Sequence, residues 1–167
     1  AFVDLGFFDS SGVQQEYAGP YPSLEKRNYR SEAWFQQLEG SDRSYVITDI
    51  YLGFRQRPHF TIAVGRKVGG VSVVLRATLD PERIYNYISS LEGAGEVVTV
   101  IVNAQGDYQL VPASLGQPLD SSAFVPPKEP RRGLAEAATD SWGGRYAYAW
   151  LRTADWALAV REAPNDD

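Results

Sequence analysis

Short apolar runs separated by turn residues recur along this chain, and they predict paired β-strands. Two segments share the order strand, D/N-x-x-G turn, strand: Phe2–Phe8, Asp9–Gly12 and Val13–Tyr17 in one, and Val97–Val102, Asn103–Gly106 and Asp107–Val111 in the other. Asp or Asn opens such a turn by hydrogen bonding to nearby backbone, and Gly supplies the positive φ near its end. Both segments therefore predict a β-hairpin.

Each half of the chain also ends in a second predicted hairpin. The strands are His59–Val64 and Val71–Leu79 around a loop at 65–70, and Arg145–Leu151 and Trp156–Val160 around a loop at 152–155. Because the hairpins recur in the same order, the chain is predicted to contain two similar α+β units. Gly93-Ala-Gly95 breaks the pattern between them, so the predicted domains are residues 1–92 and 93–167.

Helical spacing appears between the hairpins. Glu32–Glu39 is predicted as a helix with Ser31 as its N-cap. A second helix is predicted to begin at Asp80-Pro81, since Asp is a good N-cap and Pro is favoured at the first helical position. Residues 112–133 are rich in Pro, Ser and Gly and predict a long loop, and Leu134–Ala138 is predicted as a short helical turn.

Composition excludes several classes of function. The 167 residues include no cysteine, which excludes disulfides, thiolate metal sites and cysteine nucleophiles. His59 is the only histidine, so a multi-His metal site is impossible, and we expect no metal, no cofactor and no catalytic residue. A net charge of −5 argues against a nucleic-acid partner. The chain also has no methionine, so we expect Ala1 to follow a removed targeting or anchoring segment.

Basic residues are concentrated in one acid-free window. Between Asp49 and Asp80 the chain has no Asp or Glu, but it has Arg55, Arg57, Arg66, Lys67, Arg76 and His59. Strand alternation places Val71, Val73 and Leu75 on an aliphatic face that needs a cover, which we expect to be a helix preceding Ala1. His59 and Arg76 lie on the other, small and polar face. If Val64 pairs with Val71, His59 lies opposite Arg76.

Two interpretations of these basic residues stay open. Most arginines of a domain simply face solvent, and Arg66 and Lys67 are expected to do so in a loop. Arg76 differs because it lies within a strand, where a buried guanidinium requires a carboxylate partner or an anionic ligand. A single histidine is more often packed than catalytic, and no G-x-S-x-G motif accompanies His59, so a hydrolase is disfavoured.

The motifs of the first half resemble a known family, the double Cache (PDC, PAS-like) extracytoplasmic sensor domains of bacterial signalling receptors. The residues that carry the resemblance are Tyr17-Ala-Gly-Pro-Tyr21, Tyr29, Ala33-Trp34-Phe35, the segment from Tyr45 to Arg55, Pro58–Val64 and Leu75-Arg76. The variant with Gly53-Phe-Arg and Pro58-His-Phe is most similar to the sensor histidine kinase members. The resemblance covers nearly the whole chain.

The resemblance implies two tandem PAS-like units, each an antiparallel sheet flanked by helices, along a long N-terminal helix that this chain lacks. Residues 1–92 would be the membrane-distal, ligand-binding unit and residues 93–167 the membrane-proximal unit. The full-length protein would be a membrane-anchored homodimer, with this part in the periplasm of a bacterium or outside an archaeal cell. Chemoreceptors and cyclic-di-GMP cyclases carry similar domains, and a copy that binds nothing could serve as a spacer or dimerisation module.

The resemblance places the ligand site in the first unit, at Tyr29, Trp34, Asp49, Tyr51, Arg55, His59 and Arg76. Amino-acid-binding members have an Arg two residues before the Trp and acids later, whereas this chain has Glu32, Gly53 and Arg76 at those positions. An α-amino acid in the usual pose is therefore not expected. We expect instead a small anionic ligand, such as a carboxylate, held by Arg76 with His59 and the aromatic residues. A ligand-free spacer would instead pair Arg76 with an internal acid such as Glu32 or Asp49.

Overall fold

The computed structural model describes residues 2–90, 97–138 and 142–163. These residues separate into two compact units, Ala1–Asp80 and Pro81–Asp167. The predicted boundary between residues 92 and 93 lies outside the described residues. Among the helices of the described ranges, none has the length and apolarity that crossing a membrane requires.

The first unit is a five-stranded antiparallel sheet with one helix. Its elements in chain order are β1 (Phe2–Phe8), β2 (Gln14–Ala18), α1 (Ala33–Glu39), β3 (Tyr45–Ile47), β4 (Phe60–Val68) and β5 (Val71–Leu79). The strand order across the sheet is β2-β1-β5-β4-β3. Two short 3-10 turns, Pro22–Leu24 and Gly53–Arg55, lie in the connections.

The second unit has an equivalent sheet, but its helix precedes all of its strands, whereas α1 lies between β2 and β3. Its elements are α2 (Pro81–Ser89), β6 (Val97–Asn103), β7 (Tyr108–Leu110), β8 (Arg132–Ala137), β9 (Gly144–Trp150) and β10 (Trp156–Glu162). The strand order is β7-β6-β10-β9-β8, which matches the first sheet position by position. The recurring hairpins of the sequence therefore correspond to two equivalent antiparallel sheets.

The two D/N-x-x-G turns have the same hydrogen bonding. Asp9 Oδ1 accepts the backbone N–H groups of Ser11 and Val13 at 2.9 and 3.1 Å. Asn103 Oδ1 accepts those of Gln105 and Asp107 at 3.0 and 2.8 Å. The glycine that ends each turn has a left-handed backbone, with φ of 82° in the first turn and 86° in the second. Both predicted hairpins are confirmed.

The predicted register of the β4–β5 hairpin was wrong by four residues. Val64 lies opposite Leu75 instead of Val71, and the strands continue to a two-residue turn at Gly69-Gly70. Both glycines have positive φ, as such a tight turn requires. Within the loop predicted at 65–70, two consecutive glycines occur only at this place. A shift by an even number keeps each side chain on its predicted face. Arg66 and Lys67 are exposed as expected, but on β4 and not in a loop.

Two helix predictions also need correction. Leu134–Ala138 is not a helical turn, because residues 132–137 form β8 and pair along their length with β9. Pairing with β9 at the edge of the sheet therefore outweighed the helical preference of this short segment. Ser31 does not cap α1, because Glu32 is the N-cap residue, in extended conformation and without a side-chain capping bond. The long loop between β7 and β8 is present as predicted.

The two faces of the first sheet differ in burial. The inner face packs against α1 in a core of Phe8, Tyr29, Trp34, Phe35, Leu38, Val46, Ala63 and Val74. The outer face exposes Leu5, Phe7, Val71 and Leu75, with Leu75 52% exposed. The predicted assignment of residues to an aliphatic face and a small polar face is confirmed. The predicted covering helix stays a prediction.

Candidate functional site

A buried carboxylate lies at the centre of the inner face of the first sheet. Alternation along β1 turns Asp4, Gly6 and Phe8 inward, and the Asp4 side chain is fully buried. Arg55 donates to Asp4 Oδ2 through Nε at 3.1 Å and through Nη2. Arg76 donates from Nη2 to Asp4 Oδ1 at 3.3 Å. One carboxylate therefore neutralises one of two buried guanidinium charges.

Arg76 lies among aromatic rings. It is directly opposite Gly6 on the neighbouring strand β1 and is 1% exposed. Its guanidinium carbon is 5.2, 4.8 and 5.9 Å from the ring centroids of Phe8, Tyr29 and Trp34. The negative faces of aromatic rings favour a cation at these distances. The rings and Asp4 together stabilise the guanidinium charge of Arg76 in the interior.

His59 joins the same network through Arg55. Its Nδ1 lies 2.8 Å from the backbone oxygen of Arg57, and its Nε2 lies 3.2 Å from Arg55 Nη1. Because the carbonyl can only accept and the guanidinium can only donate, Nδ1 carries the proton and Nε2 accepts. Burial, helped by the nearby charges of Arg55 and Arg76, lowers the pKa of His59 to about 4. His59 is therefore a neutral positioning group for Arg55 at neutral pH.

Two tyrosines extend the network. The Tyr51 ring packs on His59 at 4.3 Å between centroids, and its hydroxyl is 2.8 Å from Thr61 Oγ1. Burial raises the pKa of Tyr51. Tyr17 donates from its hydroxyl to Asp4 Oδ2 at 3.4 Å, and burial also raises its pKa. Both hydroxyls are thus neutral hydrogen-bonding groups.

Several buried polar atoms in this region have no hydrogen-bond partner among the residues that the structure describes. They are Arg76 Nε, Tyr29 Oη, Trp34 Nε1 and Thr78 Oγ1. A buried donor without a partner costs about 1–3 kcal/mol, and native proteins contain few of them. Three of the four atoms belong to side chains in direct ring or cation–π contact with one another. Their unused hydrogen-bonding capacity fits a polar ligand.

Glu32 supplies a second acid near the two arginines. It is half-buried at the start of α1. Burial raises the pKa of Glu32, against the opposing influence of the Arg76 and Arg55 charges. With Glu32 ionised, the four groups Asp4, Glu32, Arg55 and Arg76 have no net charge. With Glu32 protonated, their net charge is +1.

The structure brings together six of the seven residues predicted for the site. Tyr29, Trp34 and Arg76 form one contact group, and Tyr51, Arg55 and His59 form another; Asp4 joins them through its bonds to Arg55 and Arg76. Asp49 is exposed in the connection after β3. His59 does not lie opposite Arg76, because Ala63 occupies that position.

The sequence reasoning missed Asp4. The signal was present, since Asp4 is the one charged residue in the apolar strand Phe2–Phe8. Asp4 forms the ion pair with Arg76, and it was not among the acids considered as internal partners, Glu32 and Asp49. In the described parts of the chain, no group of three or more His, Cys, Asp or Glu residues is arranged to hold a metal ion.

Comparisons with known proteins identify the fold. No protein-family model matches this chain, and no curated protein sequence matches it. Solved structures do match. The extracellular domain of rpHK1S-Z16, described as a histidine kinase, superimposes with a TM-score of 0.74 at 16% identity, over 98% of this chain and 71% of that domain.

Two further structures give the same result. The ligand-binding domain of the amino-acid chemoreceptor PctB of Pseudomonas aeruginosa, in complex with L-Gln, has a TM-score of 0.71 at 18% identity, over 99% of this chain and 69% of that one. An extracellular ligand-binding receptor of Desulfohalobium retbaense has a TM-score of 0.77 at 11% identity, over 95% of this chain and 30% of that one. The resemblance to extracellular sensor domains is confirmed for the fold.

Proposed function

We propose that this chain is the extracytoplasmic sensing domain of a transmembrane receptor, a two-component sensor histidine kinase, and that its first unit binds a small carboxylate. The receptor is membrane-anchored and homodimeric, and this domain lies in the periplasm or outside the cell. The fold shared with extracellular ligand-binding domains supports the sensory role. The similarity to rpHK1S-Z16 favours a histidine kinase, while the similarity to PctB keeps a chemoreceptor as the alternative.

The excess of buried arginine over buried carboxylate carries the proposal for the ligand. Asp4 pairs with both Arg55 and Arg76, and Arg76 keeps an unused Nε–H beside the unpartnered groups of Tyr29 and Trp34. A carboxylate is an acceptor with two oxygens and suits a guanidinium and neighbouring donors. A bound carboxylate would therefore satisfy donors that the described residues leave unused.

An α-amino acid fits this site less well. Its ammonium group would need acceptors, and the two inward acids available, Asp4 and Glu32, lie beside the arginines, with Asp4 already bonded to both. L-Gln, the ligand in the PctB structure, is thus a useful negative comparison. We expect a simple carboxylate to bind more tightly than L-Gln.

Isothermal titration calorimetry tests the proposal with acetate, pyruvate, succinate and L-Gln as probes. We expect heat of binding with at least one of the first three. Arg76→Lys keeps a cation near Asp4 but removes the Nε–H, so it should weaken that binding by about tenfold or more, the worth of one charge-assisted hydrogen bond. Arg57→Lys, at an exposed position in the same window, is the matched control and should bind normally.

Circular dichroism and thermal melting establish that Arg76→Lys is folded before its affinity is interpreted. Absence of heat with all three carboxylates contradicts the proposal. Equal affinity of the folded Arg76→Lys protein and the wild type contradicts the assignment of the ligand to Arg76. Tighter binding of L-Gln than of any carboxylate contradicts the proposed ligand class.

A ligand-free spacer is the second candidate, and one observation favours it. Arg76 is paired with an internal acid, which that alternative predicted, although the acid is Asp4 and not Glu32 or Asp49. The two candidates differ in the calorimetric experiment, because a spacer gives no heat with any of the probes. The two candidates also explain the unpartnered donors differently. A carboxylate ligand would accept hydrogen bonds from them, whereas in a spacer they have no function.

A further inference from the structure

A cavity lies on the first unit, beyond the end of α1. It is an open groove of about 420 Å³ between the β1–β2 turn, the last turn of α1 and the far end of the β4–β5 hairpin. Phe35, Leu38 and Val74 form a buried apolar floor. Arg43 and Lys67 line its exposed sides, whereas alternation along β4 turns the Arg66 side chain to the opposite, outer face of the sheet. We call it the hairpin groove.

The groove exists because the hairpin is longer than the helix that covers it. β4 and β5 pair through to Val68 and Val71, whereas α1 has only seven residues and ends at Glu39. Gly65 adds space at the edge of the helix, since a Cβ there would already touch Leu38 at 3.4 Å. The register that places the turn at Gly69-Gly70 thus also creates the groove.

The groove has an excess of positive charge that the described residues do not neutralise. Its lining holds the side chains of Arg43 and Lys67 and one acid, Glu39. In the ranges 2–90, 97–138 and 142–163, no acid lies within ion-pair distance of either cation. An anion in the groove would therefore be attracted by both cations.

The volume and the floor restrict the kind of anion. Small-molecule sites occupy about 300–1,000 Å³ and are mostly apolar with a few polar groups. A hydrated inorganic ion would not contact the apolar floor. An anion with an apolar chain would contact this floor and place its charged end beside Arg43 and Lys67.

We propose that the hairpin groove is a second binding site, independent of Arg76, for an amphipathic carboxylate with a short apolar chain. The site lies next to the first one, because the Phe35 ring packs edge-on against Trp34 at 5.5 Å, and Trp34 faces Arg76. A ligand in the groove would therefore lie against Phe35, which in turn packs on the aromatic group around Arg76.

Titration calorimetry with octanoate tests this site. The wild type should bind octanoate more tightly than acetate, because acetate lacks the chain that covers the floor. The double variant Arg43→Gln/Lys67→Gln should weaken octanoate binding by about tenfold, the combined worth of two exposed ion pairs. Arg83→Gln, which removes an exposed arginine from α2, is the control for a change of net charge and should bind like the wild type.

Two more measurements separate this site from the Arg76 site. Ser72→Trp fills the groove from its exposed side and should abolish octanoate binding, whereas Tyr29→Phe should leave it unchanged. Raising the salt concentration should weaken binding, since exposed charges are screened. The proposal is overturned if the wild type does not bind octanoate, or if the double variant and Arg83→Gln bind it with equal affinity. Loss of octanoate binding in Tyr29→Phe would assign octanoate to the Arg76 site and would also overturn the proposal.

Discussion

Asp4 and Arg76 form a buried ion pair across the neighbouring strands β1 and β5, with 3.3 Å between Oδ1 and Nη2. The same carboxylate also binds Arg55, which lies 51 residues further along the chain than Asp4. Asp4 thus connects the first strand, the connection before β4 and the central strand. Removing its charge leaves two buried guanidinium groups without the carboxylate that forms their ion pairs.

Asp4→Asn should therefore destabilise the protein by about 3–5 kcal/mol, the usual cost of breaking a buried ion pair from one side. The amide can still accept one hydrogen bond but cannot balance either charge. Urea unfolding followed by circular dichroism measures the change. Asp155→Asn is the control, because its ion pair with Lys128 is exposed, at 67% and 60% of the side chains, and should contribute at most about 1 kcal/mol. Equal effects of the two substitutions would contradict the role given to Asp4.

His59 should make stability depend on pH in a defined direction. Its pKa is about 4 in the folded protein and about 6.5 when unfolded, so the unfolded chain binds the proton more readily. The stabilisation is fully present above pH 6.5 and is lost as the pH falls towards 4. Between pH 7 and 4.5 the wild type should lose roughly 2–3 kcal/mol more than His59→Gln.

The comparison with His59→Gln isolates this effect, because the carboxylates titrate in both proteins. Glutamine retains a side-chain oxygen that can accept from Arg55 and has no charge to gain. The measurement is a series of urea unfolding curves across the pH range. Parallel pH profiles for the two proteins would show that His59 titrates normally.

Much of this architecture could be predicted from the sequence, because the pattern of apolar residues and turns repeats. The D/N-x-x-G turns at Asp9 and Asn103 determine where β1 and β6 end. The alternation in β5 determines which residues share a sheet face with Arg76. Register was harder to predict. Every register that keeps the apolar faces together satisfies the same pattern, and the two-glycine turn at Gly69-Gly70 selects one of them.

The contacts within the site were less predictable than the fold. Arg76 and Asp4 are 72 residues apart, and their pairing depends on β1 and β5 being neighbours in the sheet. Alternation alone does not say which strands are neighbours. The side chains of Tyr29 and Trp34 also come from a loop and a helix, so their contact with Arg76 depends on how those elements pack.

Two glycines with left-handed backbone should respond differently to substitution by alanine. Gly69 has φ of 59°, and a Cβ there would have no atom of the described residues within 4 Å, so Gly69→Ala should cost about 1 kcal/mol, the penalty of the backbone conformation alone. Gly12 has φ of 82°, and a Cβ there would lie 2.7 Å from the backbone nitrogen of Arg30. Gly12→Ala should therefore cost clearly more, about 2–4 kcal/mol. Thermal melting of both variants checks the order.

Neighbouring residues on β5 should show the difference between the two sheet faces. Val74→Thr places a hydroxyl in the core beside α1 and should cost about 1–3 kcal/mol, because Val74 is 7% exposed. Leu75→Thr changes a side chain that is 52% exposed and should alter stability by less than about 1 kcal/mol. Both variants introduce threonine, which is β-branched and suits a strand, so unfolding curves compare the two faces directly. A larger cost at Leu75 would mean that the outer face is covered in solution.

The same change at two tyrosines separates a structural hydroxyl from one that is available to a ligand. Tyr51→Phe removes a hydrogen bond to Thr61 of 2.8 Å and should destabilise the protein by about 1 kcal/mol. Tyr29→Phe removes a buried hydroxyl that has no partner in the described part of the chain, so stability should stay the same or increase. Urea unfolding of the two variants measures both effects.

Ligand binding should reverse this order if Tyr29 contributes to the site. Tyr29→Phe should weaken the binding of the small carboxylate found by calorimetry by about three- to tenfold, because the ligand loses one hydrogen bond. Tyr51→Phe should weaken it less, since the Tyr51 hydroxyl is already bonded within the protein. A Tyr29→Phe protein that is no less stable and binds as well as the wild type would mean that the hydroxyl is simply buried without a partner, and the ligand site would then have to lie away from Tyr29.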